Sequence, residues 1–250
     1  MSEAVVTERR GRVLLITLNR PEAMNAINGA LSHGLVAAVD ELDGDAGLTA
    51  GVLTGAGRGF SAGMDLKAFG RGEDIGPMTH FIRTGSRKPL IGAIEGFALA
   101  GGLELALTCD LLVAAKGAKL GIPETSVGLF AAAGGLVRLP SRVGYGKAME
   151  MAITADPITA EEAFAHGMVV RLTEPGEAVA SAMELAERVA RNAPLAVAAS
   201  KQLMRQSQGV SERDFWELQK TFFQSVFDSN DAKEGPKAFA EKRRPEWTGT

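Results

Sequence analysis

One cysteine, one tyrosine, two tryptophans and three histidines are spread over 250 residues. A single cysteine, Cys109, excludes an internal disulfide framework and a cysteine-rich zinc site. It falls in the apolar run ELALTCDLLVAA, so a buried, inert thiol is expected. His33, His80 and His166 occur in unrelated contexts without metal-ligand spacing, and solvated or capping roles suit them. No metal site is expected. No apolar run approaches the roughly 18 residues of a membrane span, and the N-terminal MSEAVVTERRGR is too polar for a secretory leader. The expectation is a cytoplasmic protein that does not enter membranes. A net charge of −3 argues against broad contact with a phosphate backbone, so nucleic acid is not an expected partner.

Glycine is plentiful instead, with 30 residues, and 46 % of the chain is hydrophobic. That glycine content implies many tight turns and places where backbone approaches a ligand or another element. Short apolar runs at 13–19, 48–53, 89–94, 111–115 and 119–122 read as strands. Leu31, Leu35, Val39 and Leu42 give helical spacing over 28–42. Short helices are expected at 65–69, 78–84 and 103–108. Beyond Arg142 the pattern becomes helical, at 146–154, 159–166, 176–192, 194–208 and 211–229. Strand, glycine turn and helix alternating in this way predict an α/β core.

Two carboxylates stand out. Glu104 lies in GFALAGGLELALTCD and Glu124 in KLGIPETSVGL, both among apolar and small residues where a charge is costly to bury unless paired or hydrogen-bonded. Two such groups facing one substrate can hold different protonation states and divide acid and base duties. Two glycine-rich turns accompany them. In GRGFSAGMDL and at Ala100-Gly101-Gly102, small residues let a backbone N–H be approached closely, and the second turn sits at a helix start where N–H groups lack partners. One N–H from each turn can form an oxyanion hole aimed at charge developing on a carbonyl oxygen. Gly55, Gly57 and Gly59 do not complete a dinucleotide fingerprint, because position 60 is Phe. Ser61 has no base partner or nucleophile elbow. Glu95 and Asp110 read as structural carboxylates bonded to backbone.

In these segments, and from NRPEAMNAIN near the start to EKRRPEW near the end, the chain resembles the crotonase superfamily, the enoyl-CoA hydratase/isomerase family. The resemblance implies a ββα spiral core over residues 1–192 and a helical oligomerisation region over 193–250. It also implies assembly as a trimer or a dimer of trimers. It assigns the oxyanion donors to the backbone N–H groups of Met64 and Gly101, which would hold the thioester carbonyl of an acyl-CoA. In that scheme Glu104 activates water and Glu124 supplies a proton. CoA, as substrate handle and not cofactor, is expected along Ala62, Gly63, Asp65, Leu66 and Lys67. Lys67 and Lys242 of a neighbouring subunit would lie near its phosphates. The dense apolar positions Phe215, Trp216, Leu218, Phe222, Phe223, Val226 and Phe227 suit a subunit interface.

One departure bears on the chemistry. After Gly128 many hydratases carry a Pro-Gly segment, whereas this chain reads Leu129-Phe130-Ala131-Ala132-Ala133-Gly134-Gly135. Ala132 falls where a glycine N–H would help hold the catalytic water, and alanine resists positive φ. Either the backbone there suits alanine or the water has shifted. Phe69, Phe81 and Phe130 are candidates for narrowing the acyl pocket. The leading reading is hydration of a trans-2-enoyl-CoA. The alternatives are Δ3-Δ2 enoyl-CoA isomerisation, which can run on one carboxylate, and a non-catalytic acyl-CoA-binding protein.

Overall fold

The computed structural model describes residues 3–250. Its first strand, β1 (Val5–Arg10), has no apolar face, is exposed at five of six positions, and was not expected from the sequence. It pairs antiparallel with β2 (Val13–Leu18). The next helix, α1 (Gly29–Gly44), starts where Asn28 accepts a hydrogen bond from the Leu31 N–H, a side-chain cap for an otherwise orphan donor. It returns the chain to β3 (Ala50–Gly55), parallel to β2. Two short helices, α2 (Leu66–Gly70) and α3 (Gly76–Thr84), precede β4 (Leu90–Ile94), which is parallel to β3.

Beyond β4 come the three-residue β5 (Phe97–Leu99), the helix α4 (Gly101–Ala106), β6 (Leu111–Ala115) and β7 (Lys119–Gly121). A 3-10 turn at Pro123–Val127 then leads to α5 (Gly135–Val143) and α6 (Tyr145–Thr154). β8 (Ile158–Thr159), α7 (Ala160–Ala165) and β9 (Arg171–Thr173) close the core. The larger sheet runs β1-β2-β3-β4-β6-β9 and the smaller one β5-β7-β8. The region after Arg142 is therefore not wholly helical, as the sequence suggested. β8 and β9 are too short to carry a hydrophobic period, and partner strands define them.

The large sheet is covered on both faces, which is why β2, β3 and β4 read as nearly continuous apolar runs. Alternate side chains separate the two covers. Leu14, Ile16, Leu18, Leu53, Leu90 and Ile94 join the main core with α1 and α4. Val13, Leu15, Val52, Ile91 and Val113 meet Ala178, Ala182, Met183 and Ala186 of α8 (Ala178–Ala190). The spacing of these α8 residues puts one small-residue stripe against the strands.

Three helices end the chain: α9 (Pro194–Gln206), α10 (Glu212–Phe227) and α11 (Asn230–Ala240), the last not foreseen. The division expected at residue 192 falls in the short link between α8 and α9. Lys201 of α9 ties this region to the sheet. Its ammonium lies 2.9 Å from the Asp110 carboxylate and donates to Ser86 Oγ and the Lys88 carbonyl. α10 contains no buried residue, and Trp216, Phe223 and Phe227 are more than half exposed.

Candidate active site

Parallel pairing of β3 with β4 makes the segments that follow them leave the sheet side by side, at the carboxyl ends where open α/β sheets present ligand sites. Further bonds lock the two segments together. The Phe60 N–H donates to the Phe97 carbonyl (2.9 Å) and the Leu99 N–H to the Ser61 carbonyl (3.0 Å). Contact is so close that a β-carbon on Gly102 would lie 2.3 Å from the Ser61 oxygen, so glycine is required there.

Upstream, Asn25 braces the first turn. It is fully buried, and its amide donates to the Ala56 and Gly59 carbonyls at 2.9 Å. Met24 and Ile27 continue the brace: the Ala62 N–H donates to the Met24 carbonyl, the Ile27 N–H to the Gly63 carbonyl, and the Asp65 N–H to the Ile27 carbonyl.

These bonds bring Met64 and Gly101 together. A β-carbon built on Gly101 would sit 3.6 Å from the Met64 nitrogen. Neither N–H donates to an acceptor among the described residues. The residue that aims the second donor is Ala100, with φ 51° and ψ −131°, a conformation that L-residues other than glycine rarely adopt. Surrounding bonds hold it there: its N–H donates to the Gly121 carbonyl, and its own carbonyl accepts from Leu103 and Glu104. Strain of this kind persists only where neighbours over-determine it, and it clusters at functional sites. α4 is only six residues long and starts two residues earlier than expected, so its dipole contributes little; position makes the donor.

Glu104 follows one turn later and is 3 % exposed. Its Oε1 accepts from the N–H groups of Ala133 (2.7 Å) and Gly135 (2.8 Å), which precede and open α5. Burial pushes its carboxyl above the usual range, while the two N–H groups and the nearby Arg138 charge pull it back toward ionisation. Glu124 reaches the same site from the other side. The parallel pairing of β5 with β7 sets Leu99 opposite Gly121, three residues before Glu124. Its Oε2 is buried and meets no donor. Burial raises its pKa, a hydrogen bond from its own main-chain N–H lowers it in part, and the Glu104 charge raises it again.

The other expected residues are placed as follows. Ala62, Gly63 and Met64 form the inner lip of the first turn. Asp65 caps α2, accepting from the Lys67 and Ala68 N–H groups, and pairs with Arg20 at 3.2 Å, so its carboxylate is occupied within the chain. Leu66 and Lys67 are exposed beside it. Lys242 follows α11 on the surface with a positive φ, and no hydrogen bond joins it to the two turns. Ala132 is exposed and does not have positive φ, so its methyl brings none of the strain that the sequence left open. Phe69 and Phe130 are exposed at 65 % and 67 %, whereas Phe81 is packed in the main core.

The supporting carboxylates behave as expected. Glu95 accepts from the Gly176 and Ala178 N–H groups at the start of α8, and Asp110 from the Leu90 N–H. Cys109 is buried, with its thiol pushed up to about 12 by burial. The sequence did not disclose the Ala133–Gly135 clamp, Asn25 or the Ala100 conformation. The only available signal was the Gly134-Gly135 pair.

The chain is similar to known proteins along nearly its whole length. Residues 8–250 match the family model described as enoyl-CoA hydratase/isomerase. The chain is 39 % identical to an enoyl-CoA hydratase of Mycobacterium tuberculosis, over 96 % of this chain and 94 % of that one. It is 40 % identical to a carnitinyl-CoA dehydratase of Salmonella arizonae over the whole of both. A crystal structure of an enoyl-CoA hydratase from Mycobacterium tuberculosis H37Rv superposes with a TM-score of 0.97 at 52 % identity, covering 100 % of each chain. The fold is that of the crotonase-type hydratases, and the chain belongs to the enoyl-CoA hydratase/isomerase family.

Proposed function

We propose that the protein is an enoyl-CoA hydratase, catalysing reversible syn addition of water to a trans-2-enoyl-CoA to give a 3-hydroxyacyl-CoA. The observation that carries this reading is the unequal treatment of the two glutamates. Glu104, held by two N–H donors, is suited to be a carboxylate base. Glu124, with a buried donor-less oxygen in the field of Glu104, is suited to keep its proton. An isomerase can work with a single shuttling carboxylate; two carboxyls in unlike surroundings, suited to divide acid and base duties, fit hydration better.

The steps follow from these placements. The thioester oxygen lies between the N–H groups of Met64 and Gly101. Glu104 takes a proton from water as the oxygen attacks C3, and the C2=C3 electron pair moves to leave an enolate on the thioester oxygen. Two preorganised donors stabilise that charge, each worth about 3 kcal/mol of barrier. The enolate then takes its C2 proton from Glu124. Proton exchange with water resets both carboxyls. The Ala132 N–H, which has no acceptor among the described residues, would hold the water. Each function is supplied by the chain, so the reading needs no metal or redox cofactor.

CoA would lie along Ala62, Gly63, Asp65, Leu66 and Lys67. Asp65 contributes through its main chain and cap, because its side chain is engaged. Lys242 would reach the phosphates only from a neighbouring subunit. The bare aromatic face of α10 supports a homotrimer or a dimer of trimers; sedimentation of a single protomer-sized species would sink that part. The relatives carry names for different acyl groups, so identity does not select the acyl chain.

The test is hydration of crotonyl-CoA and longer enoyl-CoAs, followed as loss of the conjugated thioester absorbance. Turnover that disappears in Glu104→Gln and Glu124→Gln is expected. Isomerisation of a 3-enoyl-CoA with full activity in Glu104→Gln would select the isomerase. Tight CoA-thioester binding with no turnover would select a binding protein.

A further inference from the structure

Arg138, in the first turn of α5, has no part in the steps above, yet it stands directly behind the base. Its guanidinium is partly buried and donates to three oxygens: the Ile82 carbonyl near the end of α3, Thr108 Oγ1 at 3.4 Å and the Ala133 carbonyl at 3.5 Å. Two of those partners grip Glu104 themselves. The Ala133 N–H donates to Glu104 Oε1, and Thr108 Oγ1 donates to the Glu104 main-chain carbonyl at 3.1 Å. The two longer contacts are weak one by one. Together they fit the planar, five-donor fork of arginine, which a lysine cannot reproduce.

The charges around this fork come from four elements. Glu104 of α4 faces Arg138 without a direct contact, and Glu124 of the 3-10 turn faces Glu104 in turn. The charges of Arg205 of α9 and Arg142 of α5 also act on Arg138. Arg142 is occupied by the Cys109 and Asp110 carbonyls, and Arg205 donates to the Arg83 carbonyl. Among these groups Glu104 is the carboxylate whose field reaches Arg138. The site therefore sets a fixed cation behind the base and none behind Glu124.

We propose that Arg138 is a positioning residue for the base: it fixes the Ala133 peptide and the Thr108 hydroxyl that clamp Glu104, and it places the positive charge that favours the carboxylate. The inference deepens the hydratase reading and rests on it for the word base. Its first readout does not depend on turnover. Infrared difference spectra across a pH titration report the protonated-carboxyl stretch, with the Glu104 band identified by its loss in Glu104→Gln.

In Arg138→Met the Glu104 midpoint is expected to rise by about one pH unit, as removal of a nearby opposite charge requires. The acid limb of kcat/KM should move with it. Arg138→Lys keeps the charge and loses the fork, so its midpoint should stay near that of the parent while kcat falls about tenfold and KM is little changed. A folded Arg138→Met protein with an unmoved midpoint overturns the proposal, leaving Arg138 a link between α3 and α5. If Arg138→Met does not fold, Arg138→Gln carries the same expectation. If neither folds, parental kcat in Arg138→Lys overturns the positioning role. A parent protein that hydrates no enoyl-CoA but shows the midpoint shift would refute the proposed reaction and leave this inference standing.

Discussion

On the wall built by α4 and α5, Glu104 is 3 % exposed, and one of its oxygens takes two main-chain N–H donors. On the opposite wall Glu124 hangs from a 3-10 turn, and its buried Oε2 meets no donor at all. Both carboxyls are pushed up by burial; two N–H groups of a neighbouring segment and the Arg138 charge offset this at Glu104, whereas at Glu124 only its own main-chain N–H does so and the Glu104 charge adds to the rise. The same side chain thus sits in two settings: one wall aims two main-chain donors of a neighbouring segment at a single oxygen, and the other leaves an oxygen bare beside a neighbouring negative charge. Assigning acid and base here depends on counting N–H groups, which the identity of the residues alone does not reveal.

The largest test of this contrast is removal of either carboxyl. Glu104→Gln and Glu124→Gln should each lower hydration at least about a hundredfold, measured as kcat on crotonyl-CoA. The pH profiles then separate them. Glu104 must be charged, so activity falls as pH drops through its raised pKa. Glu124 must be protonated, so activity falls as pH climbs through its own. The residual activity of Glu104→Gln should lack the acid limb and that of Glu124→Gln the alkaline limb; interchanged limbs would reverse the assignment.

Gly135→Ala acts on one wall only. Its new β-carbon would lie 3.1 Å from Glu104 Cγ and Oε1, close enough to displace the carboxyl. A loss in kcat of about tenfold to a hundredfold is expected with KM nearly unchanged. An equal loss of CoA-ester affinity would show that the clamp does more than hold the base.

A smaller effect concerns stability. A carboxyl whose folded pKa lies above its unfolded value of 4.5 favours folding at low pH, and that contribution is lost as pH rises through the folded value. Glu124→Gln should therefore melt higher than the parent at neutral pH, with the gap closing toward pH 4. Partial exposure screens the charge, so the gap should not exceed about 2–4 °C. Differential scanning calorimetry at both pH values decides it. Ala132→Gly is the smallest change. Since Ala132 does not use positive φ, kcat should stay within about threefold, and a large gain would mean that the methyl obstructs the water.

Much of this was legible in the sequence. Buried strands and α1 announced themselves through continuous or periodic apolar residues, and the two glutamates through charge in an apolar setting. β1 hid because an edge strand exposed at five of six positions carries no hydrophobic face. α5 hid behind Gly134, Gly135 and Pro140, residues that usually signal a loop. The Glu104 clamp hid for a deeper reason: the N–H of Ala133 looks like that of any residue, and only the course of the chain turns it toward a carboxylate. Ala100 was the reverse, an ordinary letter in a conformation normally left to glycine.

The oxyanion hole proposed at the Met64 and Gly101 N–H groups has a consequence for how this protein can fail. Each donor is a main-chain atom, so no exchange of one side chain for another, proline apart, can delete it. Damaging substitutions should therefore fall into a narrow class that adds bulk where the two turns touch, as at Gly102 against the Ser61 oxygen. A saturation library across residues 60–64 and 98–102 would then sort by volume, with polarity and charge counting for little.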